Sequence, residues 1–256
     1  EISVPGGTTV SGDGKTIEIP RGKNGAAIIG KDGKATAVEP GYTLTIDANG
    51  GVTAALNLPF ADVTRVDWFY DGAAYVWTRG LMSGVTETIF APQTTLTRAM
   101  LITILARESG VETSGGEEWY SKAIEWGISN GITDGTNPDG AITREQFAAM
   151  LWRYAGEPDA YVGGGVPDAP QISGYTDAPQ ISGYTDAPQI SGVPDAPQIS
   201  VYTDAPQISD WARDAMAWAV SRGLITGRTA TTLVPQGTAT RAEAATILKR
   251  YLENMG

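Results

Sequence analysis

Residues 211–251 read WARDAMAWAVSRGLITGRTATTLVPQGTATRAEAATILKRY, and the fold turns on how this stretch recurs. Its landmarks are a Trp, a Gly twelve residues on, a second Gly four residues later, and then a Thr-Arg pair. The same landmarks occur twice upstream, as the trios Trp68/Gly80/Gly84 and Trp119/Gly131/Gly135 beside Trp211/Gly223/Gly227. The pairs are Thr97-Arg98, Thr143-Arg144 and Thr240-Arg241, and a further Arg stands nine residues after each Arg, at Arg107, Arg153 and Arg250. Recurrence at fixed spacing marks an internal repeat, which has to be recognised before any single element is read.

Each copy reads as helix, loop, helix. In the third, Trp211, Ala215, Trp218 and Ala219 recur at spacings of three and four, the signature of an amphipathic helix. Gly80, Gly131 and Gly223 sit where that helix would end on a left-handed residue. The Thr of each pair is a good N-cap for a second helix. Glu243 and Gln146, three residues after their Thr, complete a capping box; Met100 leaves the first copy without one. Ala148, Leu151, Trp152 and Tyr154 resemble Ala245, Leu248 and Tyr251 as a packing face. One such unit cannot bury its apolar stripe alone, whereas three stacked units can. The predicted fold class is therefore mainly α.

These residues resemble the S-layer-homology (SLH) family. The resemblance is carried by Phe60-Ala61-Asp62-Val63, Gly80-Leu81-Met82-Ser83-Gly84, Phe90-Ala91-Pro92, Leu96-Thr97-Arg98-Ala99 and Ala239-Thr240-Arg241-Ala242-Glu243. It spans residues 60–256 apart from an insert. It implies a pseudo-threefold bundle with polysaccharide-binding grooves between neighbouring repeats. It also implies non-covalent attachment, at the bacterial cell surface, to a peptidoglycan-linked secondary polymer, often one bearing pyruvylated N-acetylmannosamine. No cofactor is implied. The second copy departs from the pattern: it reads Thr-Arg-Glu-Gln, lacks the Phe-x-Pro step, and has 8 residues from Gly135 to Thr143 against 13 from Gly84 to Thr97 and from Gly227 to Thr240.

The chemistry of the copies suggests a site. A helix N-terminus carries unpaired N–H groups and partial positive charge, and Arg adds a planar fork for a carboxylate. Arg98, Arg144 and Arg241 are thus candidate partners for a pyruvyl carboxylate, with Thr97, Thr143 and Thr240 beside them. A salt bridge to a neighbouring repeat is the structural alternative for each Arg. Gly84, Gly135 and Gly227 either let backbone approach a sugar or merely serve turn geometry. Trp68, Trp119 and Trp211 read as core anchors first and as sugar platforms second.

Composition narrows the function classes. The chain of 256 residues contains neither Cys nor His. That excludes zinc sites built on those residues, disulfides, Ser-His-Asp triads and Cys-His pairs. A net charge of −11 opposes nucleic acid and anionic membranes as partners. No apolar run reaches the roughly 18 residues of a membrane span. Glu1-Ile2-Ser3-Val4-Pro5 has no basic start or apolar stretch, which reads as a mature or truncated product. Asp134-Gly135-Thr136-Asn137-Pro138-Asp139-Gly140 resembles a calcium loop, but its Gly falls at position seven rather than six and a Pro stands at five, so a plain turn is expected. Acid pairs such as Glu117-Glu118 have nothing to fix them across a cleft.

The expected organisation is a β-rich head at 1–58, repeats at 59–110 and 111–158, an insert at 159–201, and a third repeat at 202–256. Head strands are predicted at Thr8–Val10, Thr16–Ile19, Ala26–Ile29, Lys34–Val38 and Tyr42–Ile46, split by turns at Gly12-Asp13-Gly14 and Lys31-Asp32-Gly33. Five nine-residue copies containing Asp-Ala-Pro-Gln-Ile-Ser run from Val166 to Asp210, and the fifth leads into Trp211. Rich in Pro and without cations, the array reads as an extended linker, with a register-shifting segment as the sharper alternative. A wall anchor leads the functional readings, ahead of a self-assembling surface lattice and a wall-polysaccharide enzyme. Deleting residues 166–201 should leave the melting temperature and polymer binding unchanged, as thermal denaturation and a wall pull-down would check.

Overall fold

The computed structural model describes residues 2–22, 24–29, 35–56, 58–159 and 198–255. The chain divides into one compact unit of residues 1–142 with 238–256 and another of residues 143–237.

The first unit opens with strands β1 (Ile2–Ser3), β2 (Thr9–Val10), β3 (Thr16–Glu18), β4 (Ala26–Ile29), β5 (Ala35–Val38), β6 (Tyr42–Ile46) and β7 (Val52–Leu56). They form two antiparallel sheets, ordered β1-β4-β5 and β2-β3-β6-β7. Alternation puts Ile17, Ile19 and Leu44 on one side, where they meet Ala26 and Val38 in a small core. The mainly-α bundle expected from the repeats is thereby corrected: among the described residues, seven strands in two sheets stand beside six α-helices. Pattern reading misses β1 because it is two residues long. It misses β7 because Val52-Thr53-Ala54-Ala55-Leu56 is poor in strand-forming side chains. A tight turn recruits that segment: Asp47 Oδ1 accepts from Asn49 N at 2.7 Å and Gly51 N at 2.9 Å. Tyr42 then pairs with Leu56 and Ile46 with Val52. The Gly12-Asp13-Gly14 turn forms as predicted, with Gly14 N donating to Ser11 O at 2.8 Å. The Lys31-Asp32-Gly33 turn and array residues 166–197 lie outside the described residues.

The same unit holds α1 (Tyr70–Thr78), α2 (Arg98–Glu108), α3 (Ser121–Ser129) and α6 (Arg241–Met255). α1 packs on α6, and α3 on α2, so each pair joins helices of different repeats. Small residues permit the close approach: a Cβ on Gly72 would lie 2.8 Å from Thr246 N, and one on Gly127 only 2.5 Å from Ile102 Cδ1. Gly80, Gly131 and Gly223 carry positive φ (73°, 69°, 66°) just after their helices, as predicted. The head rests on α1, with Gly22 N donating to Thr78 O at 2.7 Å and Arg21 stacked 5.0 Å over the Trp77 ring.

Beneath the helices is a closed ring of backbone hydrogen bonds. Leu96 N donates to Ala239 O, Ala239 N to Ile142 O, and Ile142 N to Leu96 O, each at 2.9 Å. All three residues are fully buried, and each immediately precedes the Thr of a Thr-Arg pair.

The second unit contains α4 (Arg144–Tyr154), α5 (Arg213–Ser221), which pack together, and short 3-10 turns at Ile199–Val201, Ala205–Gln207 and Asp210–Ala212. Its lead-in segment is tied down by Asp204, whose Oδ1 and Oδ2 accept from Leu233 N and Val234 N at 2.8 Å each. In the first unit Asp62 makes the same pair of bonds to Phe90 N and Ala91 N, again at 2.8 Å. Thr203 N and Ala61 N likewise donate at 2.8 Å to Thr231 O and Thr88 O. The second repeat lacks both an aromatic-x-Asp lead-in and the five loop residues that would receive one, so its two departures are one change. Its Phe-x-Pro step is present in altered form, because Asn137 (φ 47°) before Pro138 matches Ala91 (57°) before Pro92 and Val234 (56°) before Pro235.

Burial raises the Asp204 pKa, but the N–H groups of Leu233 and Val234 outweigh it and hold the carboxyl below its ordinary value of 3.8. The stabilisation is then complete above the unfolded-state pKa and is lost as pH falls through the lower folded value. Asp204→Asn should destabilise the second unit by about 1–3 kcal/mol at pH 7. That deficit should shrink as pH falls through the lowered folded-state pKa and the wild-type carboxylate protonates. Urea denaturation at pH 7 and pH 2.5 would measure both.

Candidate functional site

Each Thr-Arg pair begins a helix, and the N–H groups of that helix are already engaged. In α2, Arg98 N donates to Gly140 O (3.1 Å), Ala99 N to Pro138 O (2.8 Å) and Met100 N to Thr97 Oγ1 (3.2 Å). In α4 the acceptors are Gly237 O (2.9 Å), Pro235 O (2.9 Å) and Thr143 Oγ1 (3.2 Å). In α6 they are Thr94 O (2.9 Å), Pro92 O (2.9 Å) and Thr240 Oγ1 (3.2 Å). Three of the four orphan donors of each helix are therefore satisfied by protein. The anion receptor expected from helix dipoles is not open. Capping follows the prediction: Gln146 and Glu243 return a bond to Thr143 N and Thr240 N, and Met100 cannot.

The guanidinium groups clamp loops. Arg241 donates from Nε to Phe90 O at 2.8 Å and from Nη2 to Ser83 O at 2.5 Å. Arg144 donates from Nε to Leu233 O at 2.8 Å and from Nη2 to Thr226 O at 2.6 Å. Both residues are buried, at 6% and 3% exposure. Burial pushes the Arg241 pKa below its ordinary value, with Asp62 opposing the shift, and arginine keeps its charge regardless.

Arg98 differs. Its Nε donates to Thr136 O at 2.9 Å, but its Nη2 meets the Asp134 carboxylate at 2.6 Å and Thr133 Oγ1 at 3.4 Å. At the position where Ser83 and Thr226 offer a backbone carbonyl to their arginine, Asp134 offers its side-chain carboxylate. Its side chain is 65% exposed, and that of Arg98 is 14% exposed. The Thr136 N–H, ahead of its hydroxyl and of Arg98, holds the Asp134 carboxyl below its usual range. Oδ1 of Asp134 thus serves Arg98 and Thr136. Among the described residues, no cluster of three or more His, Cys, Asp or Glu side chains is arranged to hold a metal ion.

The glycines serve internal packing. A Cβ on Gly84 would lie 2.7 Å from the Phe60 ring and one on Gly227 2.6 Å from the Tyr202 ring, while Gly135 has φ 75° and abuts Ile128. Tyr202 Oη also accepts from Gly227 N at 3.2 Å.

Trp68, Trp119 and Trp211 do not anchor the core, which holds Trp218 instead. Trp68, Trp119 and Trp211 are 64%, 50% and 54% exposed, each just ahead of the first helix of its repeat. Trp68 stands edge-on to Phe69 at 5.5 Å and Trp119 edge-on to Tyr120 at 5.1 Å, so one aromatic neighbour orients each ring.

Two features escape sequence reading. Glu145, the residue that sets the second copy apart, is buried and accepts from Ser209 N (3.0 Å) and Ser209 Oγ (2.9 Å). An open groove of about 550 Å³ is lined by Tyr42, Tyr70, Tyr75, Arg65, Asp71 and Lys249 among others. The only signal for the Glu145 contact is that this departure coincides with a Ser ahead of Trp211; nothing in the sequence marks the groove.

The sequence model of the S-layer homology domain matches residues 59–99, 114–148 and 201–245. An amylopullulanase of Thermoanaerobacterium thermosulfurigenes is 30% identical over 77% of this chain and 10% of its own length. The Surface-layer 125 kDa protein of Lysinibacillus sphaericus is 30% identical over 46% of this chain and 11% of its own. An endoglucanase of Bacillus sp. (strain KSM-635) is 31% identical over 41% of this chain and 12% of its own. The chain thus spans about a tenth of each of these relatives, and the similarities point to the cell surface. Among the described residues no helix is long and apolar enough to cross a membrane.

Removing the Arg241 clamp leaves the buried Phe90 carbonyl without its donor, at about 1–3 kcal/mol, and the partly buried Ser83 carbonyl without its own, at about 1 kcal/mol. Arg241→Ala should therefore destabilise the first unit by about 2–4 kcal/mol. Arg98→Ala, whose main partner is an exposed carboxylate, should cost about half as much. Urea denaturation of the two variants would rank them.

Proposed function

This chain belongs to the S-layer homology family, and from that premise we propose that it is a non-catalytic anchor. It holds the protein that bears it to a bacterial wall by binding an anionic secondary wall polysaccharide, a pyruvylated polymer being one form. The observation that carries this reading is the exposure of Trp68, Trp119 and Trp211 at equivalent positions. A protein gains nothing in folding by leaving three indoles in water, whereas the flat C–H face of a pyranose ring buries apolar area against an indole.

Arg98 is the clamp whose side chain reaches solvent beside an exposed carboxylate. A ligand carboxylate exchanges for Asp134 there one charge for one, at no net cost in buried charge. Arg144 and Arg241, with Thr97, Thr143, Thr240, Gly84, Gly135 and Gly227, act on this reading by fixing loop and helix positions around the ligand. An ionic contribution through Arg98 also makes binding weaken with added salt. The enzymatic activities of the amylopullulanase and the endoglucanase are not carried over, because the match covers 10–12% of those proteins.

The test is sedimentation with purified wall sacculi before and after hydrofluoric acid strips phosphodiester-linked polymer. The comparison is with a Trp68→Ala/Trp119→Ala/Trp211→Ala variant, which retains its fold because the rings are exposed. Wild type should sediment with untreated walls and stay in solution with stripped ones. Each Trp should contribute about 1–2 kcal/mol, roughly 5–30-fold in affinity. Binding that survives both changes would point to peptidoglycan itself and end the indole reading; sugar release would make the chain an enzyme, and self-assembled sheets a lattice protein.

A further inference from the structure

The docked lead-in of the third repeat is the fifth copy of the nine-residue array, and specific contacts hold it. Tyr202 Oη accepts from Gly227 N, and its ring covers that glycine. Thr203 N and Oγ1 both donate to Thr231 O, at 2.8 and 3.1 Å. Asp204 accepts from Leu233 N and Val234 N. Gln207 O accepts from Gln236 Nε2 at 3.1 Å. Ile208 is buried, and Ser209 N and Oγ donate to Glu145.

All eight residues of this docking sequence, Tyr-Thr-Asp-Ala-Pro-Gln-Ile-Ser, recur verbatim at 175–182 and 184–191. Copies one and four differ where the contacts discriminate. They place Val166 and Val193 at the Tyr position and Pro167 and Pro194 at the Thr position. Val has no hydroxyl for Gly227, and Pro has no N–H for Thr231.

We propose that this groove selects a sequence rather than a position, so that residues 184–191 or 175–182 of the same chain exchange with 202–209 as the lead-in of the third repeat. The inference is independent of what the repeats bind. The eight docked residues are identical in the two registers, and loop closure separates them. Docking 184–191 leaves residues 192–209 as an 18-residue loop ahead of Asp210. The three-halves power law then sets that register at about one chain in a hundred. Damage to the fifth copy removes the competitor and makes the alternative dominant.

Because the chain has no Cys, the exchange can be read by disulfide formation. Gln236→Cys is combined in turn with Gln207→Cys as the reference pair, Gln189→Cys for the third copy, and Gln171→Cys for the first. Each is made with the fifth copy intact and with Tyr202→Ala/Asp204→Ala. The intramolecular 189–236 link should rise at least tenfold when the fifth copy is broken, and the 171–236 link should not. Equal yields at 189 and 171, no rise on breaking the fifth copy, or a link that forms only between chains would overturn the proposal. A second measurement needs no cross-link. Tyr202→Ala/Asp204→Ala should unfold at lower urea in a chain lacking 175–192, which removes copies two and three alone, than in the full chain, and identical midpoints would overturn the proposal.

Discussion

Within each compact unit, neighbouring repeats are joined by an arginine that grips a loop of another repeat: Arg144 and Arg241 each take two backbone carbonyls, and Arg98 takes one carbonyl and the Asp134 carboxylate. A loop with no regular secondary structure has carbonyls that must find donors, and inside a protein an unmet carbonyl is costly. Arginine meets two of them at once with a rigid planar fork; lysine would bring only a point charge. In Arg144 and Arg241 the Nε and Nη2 bonds run to carbonyls on either side of the loop residues, so one side chain fixes both ends of the loop. The charge is tolerated because it is surrounded by carbonyl dipoles rather than by hydrocarbon.

The carboxylates of Asp62 and Asp204 complete the same device from the other side. They accept the two N–H groups adjoining the carbonyl that the arginine takes, so the Phe90-Ala91 and Leu233-Val234 steps are held by an anion and a cation together. A positive φ at Ala91 and Val234 is the strain this bracing sustains. The second repeat solves the problem more cheaply in residues. It has lost five loop positions and the lead-in, and Asp134 folds back on Thr136 to present a carboxylate where a carbonyl would be.

The repeat itself was legible because its landmarks are backbone requirements. Gly131 needs a left-handed φ, Thr143 caps, and Gln146 closes the box, each a local rule with a local signature. The head was half legible: alternation at Tyr42–Ile46 gives a strand, but β7 exists only because β6 is there to pair with it. The site was read least well. Thr-Arg looked like an anion receptor because sequence shows the donors of a helix start and not the carbonyls of Pro92, Pro138 and Pro235 that already fill them. Trp68 looked like core because large aromatic residues usually are, and its 64% exposure is a tertiary outcome that no local pattern encodes.

A buried clamp cannot be lent to a ligand without releasing the loop it holds, so Arg144 and Arg241 are poor places for a protein to evolve affinity. Exposed indoles carry no such debt to the fold. On the proposed reading, Trp68, Trp119 and Trp211 would gain or lose contacts with a polymer without disturbing the arginine clamps. The second repeat shows the division. The element that changes there is the clamp's partner, Asp134 in place of a carbonyl, while the indole ahead of the first helix remains. On the proposed reading, holding the repeats together and gripping a polymer would fall to different side chains, so that a repeat could change in one without forfeiting the other.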